Sequence, residues 1–477
     1  MRFAIDGASG AKPLARPAGG GRLLRTFLVA GAAWAAIGAA RAETIGGALV
    51  KAYLNNPDIN AERAKVRVED ENVPKANAGY LPTVSANANL GYERFTGREG
   101  SGSPQVTASI YPRGYGMTVN ETVFNGNKTV NTIRQAESNV LGERETLRNT
   151  EQNTLFSGVQ AYMDVLRDTA ILELDRNNVE VLREQLRETR DRFTVGEVTR
   201  TDVAQAEASL SSAQATAISA EATLESSIAR YVQFIGDKPT SLAPVRPLTR
   251  PLPKSLPEAI AISQVEHPAI TASLHGVDSA LLQIKIAESA LYPQASLSGS
   301  VQNTWDASGI PGLHILSGTI QGQITVPIYQ GGLEYATTRQ AKESLSQQEQ
   351  QTDSERNMVR QNVVAQWGNN QASVGVVRAA RASVAANEVA LAGVREEAKV
   401  GQRTTLDVLN AQQALLNARV QLVTAEHDQV VYSYALLSAV GRLNVPALGL
   451  AVEEYDPRVH FDQVKSKWIG LRTPDGK

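Results

Sequence analysis

The sequence contains no cysteine among its 477 residues. This absence excludes disulfide bonds, thiolate metal sites and lipid attachment through a cysteine. Aromatic residues are also scarce, at 5%, and the formal net charge is only −2, with acidic and basic residues scattered along the chain. The composition therefore gives no reason to expect nucleic acid as a partner, and it suits long, thinly packed helices better than a large globular core.

Long apolar runs are missing beyond the N-terminus, so the sequence predicts no transmembrane helix in the mature chain. The N-terminus itself has a basic flank with Arg22 and Arg25, an apolar stretch at about 26–40, and a small-residue exit that ends at Ala42. This order of features predicts a secretory signal peptide at 1–42, cleaved after Ala42. A transmembrane anchor is the alternative, but the apolar stretch is too short to span a bilayer comfortably.

Motifs for catalysis and nucleotide binding are also absent, including GxxxxGK[ST], HExxH and GxSxG. Adjacent acids such as Glu396 and Glu397 point apart on a helix, which is typical of a solvated surface rather than an acid/base pair. The five histidines are scattered without an i, i+4 pair that could hold a metal: His267, His275, His314, His427 and His460. We therefore expect no catalytic residues, no cofactor and no metal, and any energy for transport must come from a partner.

What the sequence does contain is an internal duplication. Pro57 and Pro268 are 211 residues apart, as are Pro82 and Pro293, and further along the offset becomes 205. The positions that match at 205 are Gly126 and Gly331, 134–136 and 339–341, Val195 and Val400, Gly196 and Gly401, Asp202 and Asp407, Glu221 and Glu426, and Gly236 and Gly441. A constant offset over more than a hundred residues indicates two structural copies of one unit.

The duplication divides the chain into a first repeat at 43–236, a proline-rich linker at 237–257, a second repeat at 258–441 and a tail at 442–477. We expect the tail to pack on the outside of the main body. Each repeat is predicted to contain a helical stretch, two strands, a long helix of about 100 Å and a return helix. The expected strands are at about 82–95, 115–124, 293–306 and 318–329, the long helices at about 126–193 and 331–398, and the return helices at about 199–235 and 404–440.

The strand segments alternate between apolar residues and small uncharged polar residues over about ten positions. In PTVSANANLGY, for example, Val84 and Leu90 fall on one face and Asn87 on the other, whereas Glu121 interrupts the apolar face of MTVNETVF. This pattern is typical of transmembrane β-strands with one face to lipid and one to a wet lumen. A soluble sandwich also alternates, but four strands cannot enclose its core. They cannot close a barrel either, so several chains must contribute strands to one barrel.

The stretch that opens each return helix has a capping pattern. Thr199 with Asp202, and Thr404 with Asp407, fit a capping box, and Gly196 and Gly401 would supply the left-handed turn that ends each long helix. Capping alone accounts for these residues in both repeats. It does not explain Arg403, whose counterpart at the 205 offset is Val198.

At this point the sequence resembles the TolC family of outer-membrane export ducts. The residues that carry the resemblance are VFNGNKTVNTIRQAES, RFTVGEVTRTDVAQAEASL, VPIYQGGLEYATTRQAKESL and VGQRTTLDVLNAQQALLNAR, and the resemblance covers about 44–442. It implies a mixed α/β membrane protein in which a tandem-duplicated unit supplies long coiled helices and four transmembrane strands per chain. Three chains would form a homotrimer with a 12-stranded β-barrel in outer-membrane lipid and a 12-helix periplasmic tunnel. The implied partners are a periplasmic adaptor, that is, a membrane fusion protein, and an inner-membrane ABC or proton-driven pump.

The resemblance also assigns roles at the two turns, which would form the periplasmic gate and dock the adaptor through Gly196, Gly401, Val195 and Val400. In the family, an Arg of the second turn links to a Thr-Asp pair of a neighbouring hairpin. The matching positions are Arg403, Thr201 and Asp202. A gate tyrosine is replaced by Ala398. Of two acidic positions that ring the constriction, Asp407 matches and the other is Asn410, which thins the ring from six carboxylates per trimer to three.

Two other functions compete with a trimeric outer-membrane channel. A periplasmic coiled-coil adaptor could have long Ala- and Gln-rich hairpins, but it would not need four lipid-compatible strands at matched positions. A diffusion porin would leave the two long rods unexplained. The sequence leaves open whether the cargo is a protein, as in type I secretion, or a small molecule, as in multidrug efflux.

Overall fold

The fold is described from a computed structural model that covers residues 42–98, 101–102, 104–306 and 310–476. The predicted signal peptide at 1–42 lies outside these residues, apart from Ala42. In the covered part of the chain, no helix is both long enough and apolar enough to cross a bilayer.

The first repeat consists of three short helices, four strands and a pair of long helices. Its elements are α1 (Ile45–Asn55), α2 (Pro57–Asp70), α3 (Asn72–Asn77), β1 (Thr83–Leu90), β2 (Glu93–Gly97), β3 (Val106–Ile110), β4 (Arg113–Asn125), α4 (Lys128–Thr194) and α5 (Arg200–Ile235). Most helices begin at a polar cap; for example, the side chains of Thr44 and Asn56 accept hydrogen bonds from the first turns of α1 and α2.

The second repeat follows the same order with one strand pair fewer. Its elements are α6 (Leu256–Glu266), α7 (Pro268–Glu288), β5 (Gln294–Trp305), β6 (His314–Thr325), α8 (Leu333–Lys399) and α9 (Thr405–Ala439), and the tail adds α10 (Val445–Leu448) and α11 (Arg458–Val464). The two long helices, α4 and α8, are 67 residues each, or about 100 Å. Side-chain pairs repeat as well, since Arg176–Glu221 (3.0 Å) and Arg381–Glu426 (2.8 Å) occupy equivalent positions.

Four strands form one antiparallel sheet in the order β1-β4-β5-β6, and β2 and β3 form a separate hairpin. The sheet register gathers Ser, Thr, Asn, Gln and Gly, with one Ile, on one face, and no residue of this face is charged in the sheet as described. The opposite face carries residues such as Val84, Met117, Val301 and Ile320, which are all more than half exposed in the single chain. The sheet therefore has one apolar and one uncharged polar surface, as the alternation predicts.

The strand bounds differ from the prediction at three places. The strand expected at 82–95 ends at Leu90 and is followed by the separate β2–β3 hairpin. The strand expected at 318–329 begins earlier, at His314, and ends at Thr325. It ends shortly before Pro327, which has no N–H to donate to the sheet. In β4, Val123 is the extra residue of a bulge between Thr122 and Phe124, which interrupts the alternation there.

The main hydrophobic core lies where the short helices of both repeats pack on the middle of α4 and on α9. Tyr162 and Tyr231 are fully buried here. The Tyr162 hydroxyl lies 2.6 Å from the carbonyl oxygen of Glu43 and 2.8 Å from that of Ala243. The segment at Glu43 and the proline-rich linker are thus fastened to the same helix.

The tail packs on α2 and α4 through buried charged side chains. His460 of α11 lies 2.9 Å from the fully buried Asp70. The guanidinium of Arg63 lies over the rings of Tyr53 (4.5 Å) and Tyr455 (5.1 Å). Since cation–π contacts strengthen when they are desolvated, these contacts hold the tail against the helices.

Glu151 gives this region a pH-dependent stability. Burial raises the pKa of Glu151 to about 7, against the lowering effect of Arg63, and Glu454 raises it further. The folded protein therefore keeps a proton on Glu151 that the unfolded chain releases above pH 4.5, so the contribution of this group to stability is fully present below that pH and is lost as pH rises towards 7. We expect a loss of about 3 kcal/mol over this window, and Glu151→Gln should remove that part of the slope. Thermal unfolding midpoints between pH 4.5 and 8 would measure it; an unchanged slope in the variant would assign it to other groups.

Candidate functional site at the hairpin tips

The two helical hairpins end in turns that are nearly superimposable in their local bonding. In the first tip turn (194–199), Gly196 has φ +79°, Gly196 N–H donates to Phe193 and Glu197 N–H donates to Arg192. In the second (399–404), Gly401 also has φ +79°, and the equivalent bonds join it to Ala398 and Gln402 to Glu397. A side chain at either glycine would be strained, because L-residues rarely adopt this φ.

Each return helix starts with the predicted capping box. Thr199 accepts a hydrogen bond from Asp202 N–H and Asp202 accepts from Thr199 N–H; Thr404 and Asp407 do the same. Hydrogen bonds from the Thr199 hydroxyl and then its backbone lower the pKa of Asp202. Hydrogen bonds from the Thr404 backbone and then its hydroxyl lower the pKa of Asp407. Both carboxylates stay ionised at neutral pH and hold the turns in shape.

Apolar side chains project from these capped ends. Val195 and Val400 are 70% and 71% exposed, and Phe193 and Leu406 are also exposed. One bare valine lies at the end of each rod, and no contact within the described part of the chain covers it. Each tip therefore presents an exposed apolar side chain to its surroundings.

The charges that bracket the two turns are reversed between the repeats. In the first turn Arg192 pairs with Glu197 at 3.1 Å, and in the second Glu397 pairs with Arg403 at 2.8 Å. Glu397 stands at the position equivalent to Arg192. The Glu397 carboxylate is the main cause of the raised pKa of Arg403. The two tips therefore have the same backbone conformation, but the acidic and basic partners of their ion pairs are exchanged.

The predicted site residues fall into two groups in the structure. Within the described part of the chain, Arg403 contacts Glu397, and the structure does not bring it to Thr201 or Asp202. Thr201 is exposed on the first turn of α5, and Asn410 is exposed one turn beyond the capping box of α9. Glu397, expected from the sequence to be a solvated acid, is the partner of Arg403. The signal that could have found it is the Arg192–Glu197 pair, which predicts an ion pair across the same turn.

The tips are linked below the turns by a small apolar cluster. Leu409 of α9 packs against Val179 and Leu182 of α4 and Ala213 of α5. The two hairpins of one chain are thus held side by side near their ends. Among the residues that the structure describes, no group of His, Asp and Glu is arranged to hold a metal ion.

A two-faced sheet at one end and two rods with capped, apolar tips at the other define a channel-forming protein of the outer membrane that extends into the periplasm. The chain belongs to the outer membrane efflux protein family, whose model matches residues 48–237 and 260–442. This assignment confirms the predicted family, fold class and location, and it makes the protein an outer-membrane export channel.

Relatives and solved structures agree with this assignment. The chain is 42% identical to the outer membrane efflux protein BepC of Brucella suis over 92% of this chain and 94% of that protein. It is 24% identical to the outer membrane protein TolC of Escherichia coli, over 85% and 83% of the two chains. Its fold is similar to that of the Campylobacter jejuni CmeC outer membrane channel, with a TM-score of 0.75 at 17% identity over 88% and 89% of the chains.

Proposed function

We propose that three copies of this chain form a gated duct whose periplasmic mouth is built from the hairpin tips. The observation that carries the proposal is the pair of tip turns. They have the same backbone conformation, but their ion pairs are reversed in charge and each exposes a valine. If the two kinds of tip alternate around a ring, charged residues of opposite sign lie next to one another. Their attraction favours a closed periplasmic mouth. The outer strands β1 and β6 support assembly from several chains, since they have no strand partner among the described residues and lipid tolerates no open edge.

In this proposal, the duct is the passive component of a multiprotein export complex. A periplasmic adaptor covers Val195 and Val400 at the tips and joins the duct to an inner-membrane ABC or proton-driven pump, which supplies the energy. The chain itself acts as a conduit and not as an enzyme. Because the polar face of the strands is uncharged, selection by charge falls to the tips, where Asp407 lies near the mouth and Asn410 takes the place of a second acid.

The gate in this proposal is a change of partner by Arg403. In the resting ring, Arg403 reaches Asp202 and Thr201 of a neighbouring hairpin; in the open ring, it returns to Glu397 of its own chain. Both pairings involve exposed side chains that rotate at little cost. An adaptor that binds the tips shifts the balance by its preference for one arrangement.

Planar-bilayer conductance tests the gate. Arg403→Glu and Asp202→Lys are each expected to raise the resting conductance several-fold, because each places like charges across the link. The charge-swapped double variant should return the conductance towards that of the unmodified channel. Glu397→Gln is the matched control: it frees Arg403 from its own helix and should leave the resting channel closed. Unchanged conductance in both single variants would assign Arg403 and Asp202 to capping or adaptor docking instead.

A further inference from the structure

The chain continues beyond α11 as a loop of residues 465–472, here called the tail loop, whose large apolar side chains face solvent. Trp468 and Ile469 are 74% and 73% exposed, and Leu471 is fully exposed. Single exposed apolar residues are common on protein surfaces. Three of them within four residues, with a tryptophan among them, form a patch that marks an interaction surface.

Helix α11 carries the tail loop towards the sheet. His460, near the start of α11, contacts Asp70 at the end of α2. Further along, the side chain of Asn77 at the end of α3 donates a hydrogen bond to the carbonyl oxygen of Lys465 at 3.0 Å. The tail therefore runs parallel to α2 and α3, and β1 begins only six residues after Asn77, at Thr83. The tail loop thus lies at the end of the short helices that is next to the sheet.

Exposed tyrosines mark this end of the helices as an interface. Tyr80 and Tyr292 are exposed just before β1 and β5, and Tyr329 is exposed just after β6. Tyrosines at the ends of membrane strands lie at the level of the lipid headgroups, with the ring in an apolar layer and the hydroxyl in water. Since the chain is an outer-membrane channel that extends into the periplasm, this level is the periplasmic surface of the outer membrane.

The tail loop is also cationic. It contains Lys465, Lys467 and Arg472 and no acidic residue. Lys465 pairs with Asp462 at 2.8 Å, and Lys467 donates a hydrogen bond to the carbonyl oxygen of Arg472, which closes the loop on itself. A tryptophan and aliphatic side chains flanked by basic residues suit the boundary of an anionic bilayer, where apolar groups enter the acyl region and cations meet phosphate.

Both ends of the tail loop are fastened to the short helices. Asn77 holds the loop at Lys465, and beyond its other end Asp475 lies 3.8 Å from Arg67 of α2. A loop that is already ordered loses little conformational entropy when it binds. A small apolar patch on such a loop is therefore enough for binding.

We propose that the tail loop is a peripheral membrane anchor. Trp468, Ile469 and Leu471 enter the periplasmic leaflet of the outer membrane. Lys467 and Arg472 bind the phosphate groups of anionic phospholipids there. A lipid surface is favoured over a protein partner because the loop carries only positive charge and lies beside the membrane sheet. The proposal rests on the outer-membrane location of the chain and is independent of the number of chains in the duct and of the gate.

A dye on a single cysteine tests the anchor, because the sequence contains no cysteine. The full-length chain with Leu471→Cys would carry an environment-sensitive dye and be reconstituted into vesicles of phosphatidylethanolamine and phosphatidylglycerol. We expect nitroxide-labelled phospholipid to quench this dye strongly and aqueous iodide to quench it weakly. In vesicles of phosphatidylcholine alone, which carry no net charge, the order should reverse.

Three further variants serve as controls. Tyr292→Cys lies just before β5 and gives the signal of a dye at the lipid interface. Val459→Cys is exposed on the same tail about 9 Å along α11 before Lys465, and its dye should stay in water. Lys467→Gln with Arg472→Gln should return most of the dye at Leu471→Cys to water, because each basic residue strengthens attachment to an anionic surface about fivefold.

Two results would overturn the anchor. In the first, the dye at Leu471→Cys stays open to iodide in the anionic vesicles while the dye at Tyr292→Cys is quenched by lipid. In the second, the dye at Leu471→Cys is shielded from iodide but is not quenched by lipid, which would assign the tail loop to a protein surface such as a second copy of the chain. Either result leaves the proposed gate untouched, since conductance measures the gate separately.

Discussion

Replacing Gly441 by alanine is expected to destabilise the protein by about 2–5 kcal/mol. Gly441 ends α9 at φ +84°, where an alanine is strained by about 1–2 kcal/mol. Its new Cβ would also lie 2.7 Å from the Cα of His267 and 3.1 Å from the carbonyl oxygen of Glu266. These are backbone atoms at the junction of α6 and α7, so they can give way only by moving a helix, which costs about 1–3 kcal/mol more.

Gly236 offers a matched control in the first repeat. It ends α5 at φ +99°, and a Cβ at this position would meet nothing within 4 Å. Gly236→Ala should therefore show the conformational strain alone, about 1–2 kcal/mol. Thermal unfolding of the two variants measures the difference. Equal shifts of the unfolding midpoint would mean that the α6–α7 junction yields freely, contrary to the packing seen here.

Removing the carboxylate of Asp168 is the second change with a large expected effect, about 3 kcal/mol. Asp168 is 4% exposed. It accepts hydrogen bonds from Arg167 Nε at 2.7 Å and from the buried hydroxyl of Ser227 on α5. Asp168→Ala would leave that hydroxyl without a partner and weaken the restraint on the guanidinium, and breaking one side of a buried charged pair is costly.

A double-mutant cycle separates this network from simple loss of volume. Ser227→Ala alone should cost about 1 kcal/mol, since the carboxylate keeps Arg167. The double variant should cost little more than Asp168→Ala, because the two changes remove the same hydrogen bond. Strict additivity in unfolding free energy would show that Ser227 and Asp168 act separately. The Asp168 position corresponds to Ser373 in the second repeat, so that repeat is built without this carboxylate.

The features that the sequence predicted well depend on local chemistry. Left-handed glycines such as Gly196 and Gly401, and the capping boxes that follow them, need only a few neighbouring residues, so their spacing is visible in the chain. The tandem duplication made each such feature visible twice, and the family and fold class are confirmed. The strand alternation also held, since one apolar face and one polar face require a period of two.

The features that the sequence did not predict depend on tertiary contacts. The Arg403–Glu397 pair forms across a turn that folds Arg403 back towards α8, and adjacency of Glu396 and Glu397 alone does not reveal it. The separate β2–β3 hairpin and the bulge at Val123 alter the strand pattern through register rather than composition. The buried contact of His460 with Asp70 joins residues nearly 400 positions apart, which no local pattern encodes.

The polar contacts near the middle of the long helices have a mechanical consequence for the two hairpins of one chain. Between α9 and α4, Nε2 of His427 lies 3.1 Å from Oδ1 of Asp164, and Arg230 of α5 donates a hydrogen bond to the same carboxylate. The residues at the same places in the other repeat, at the 205 offset, are Ala222 and Asn369, which carry no charge. The two hairpins of one chain are therefore joined at this height by contacts that the sequence places only once, and we expect them to move together as one rigid unit.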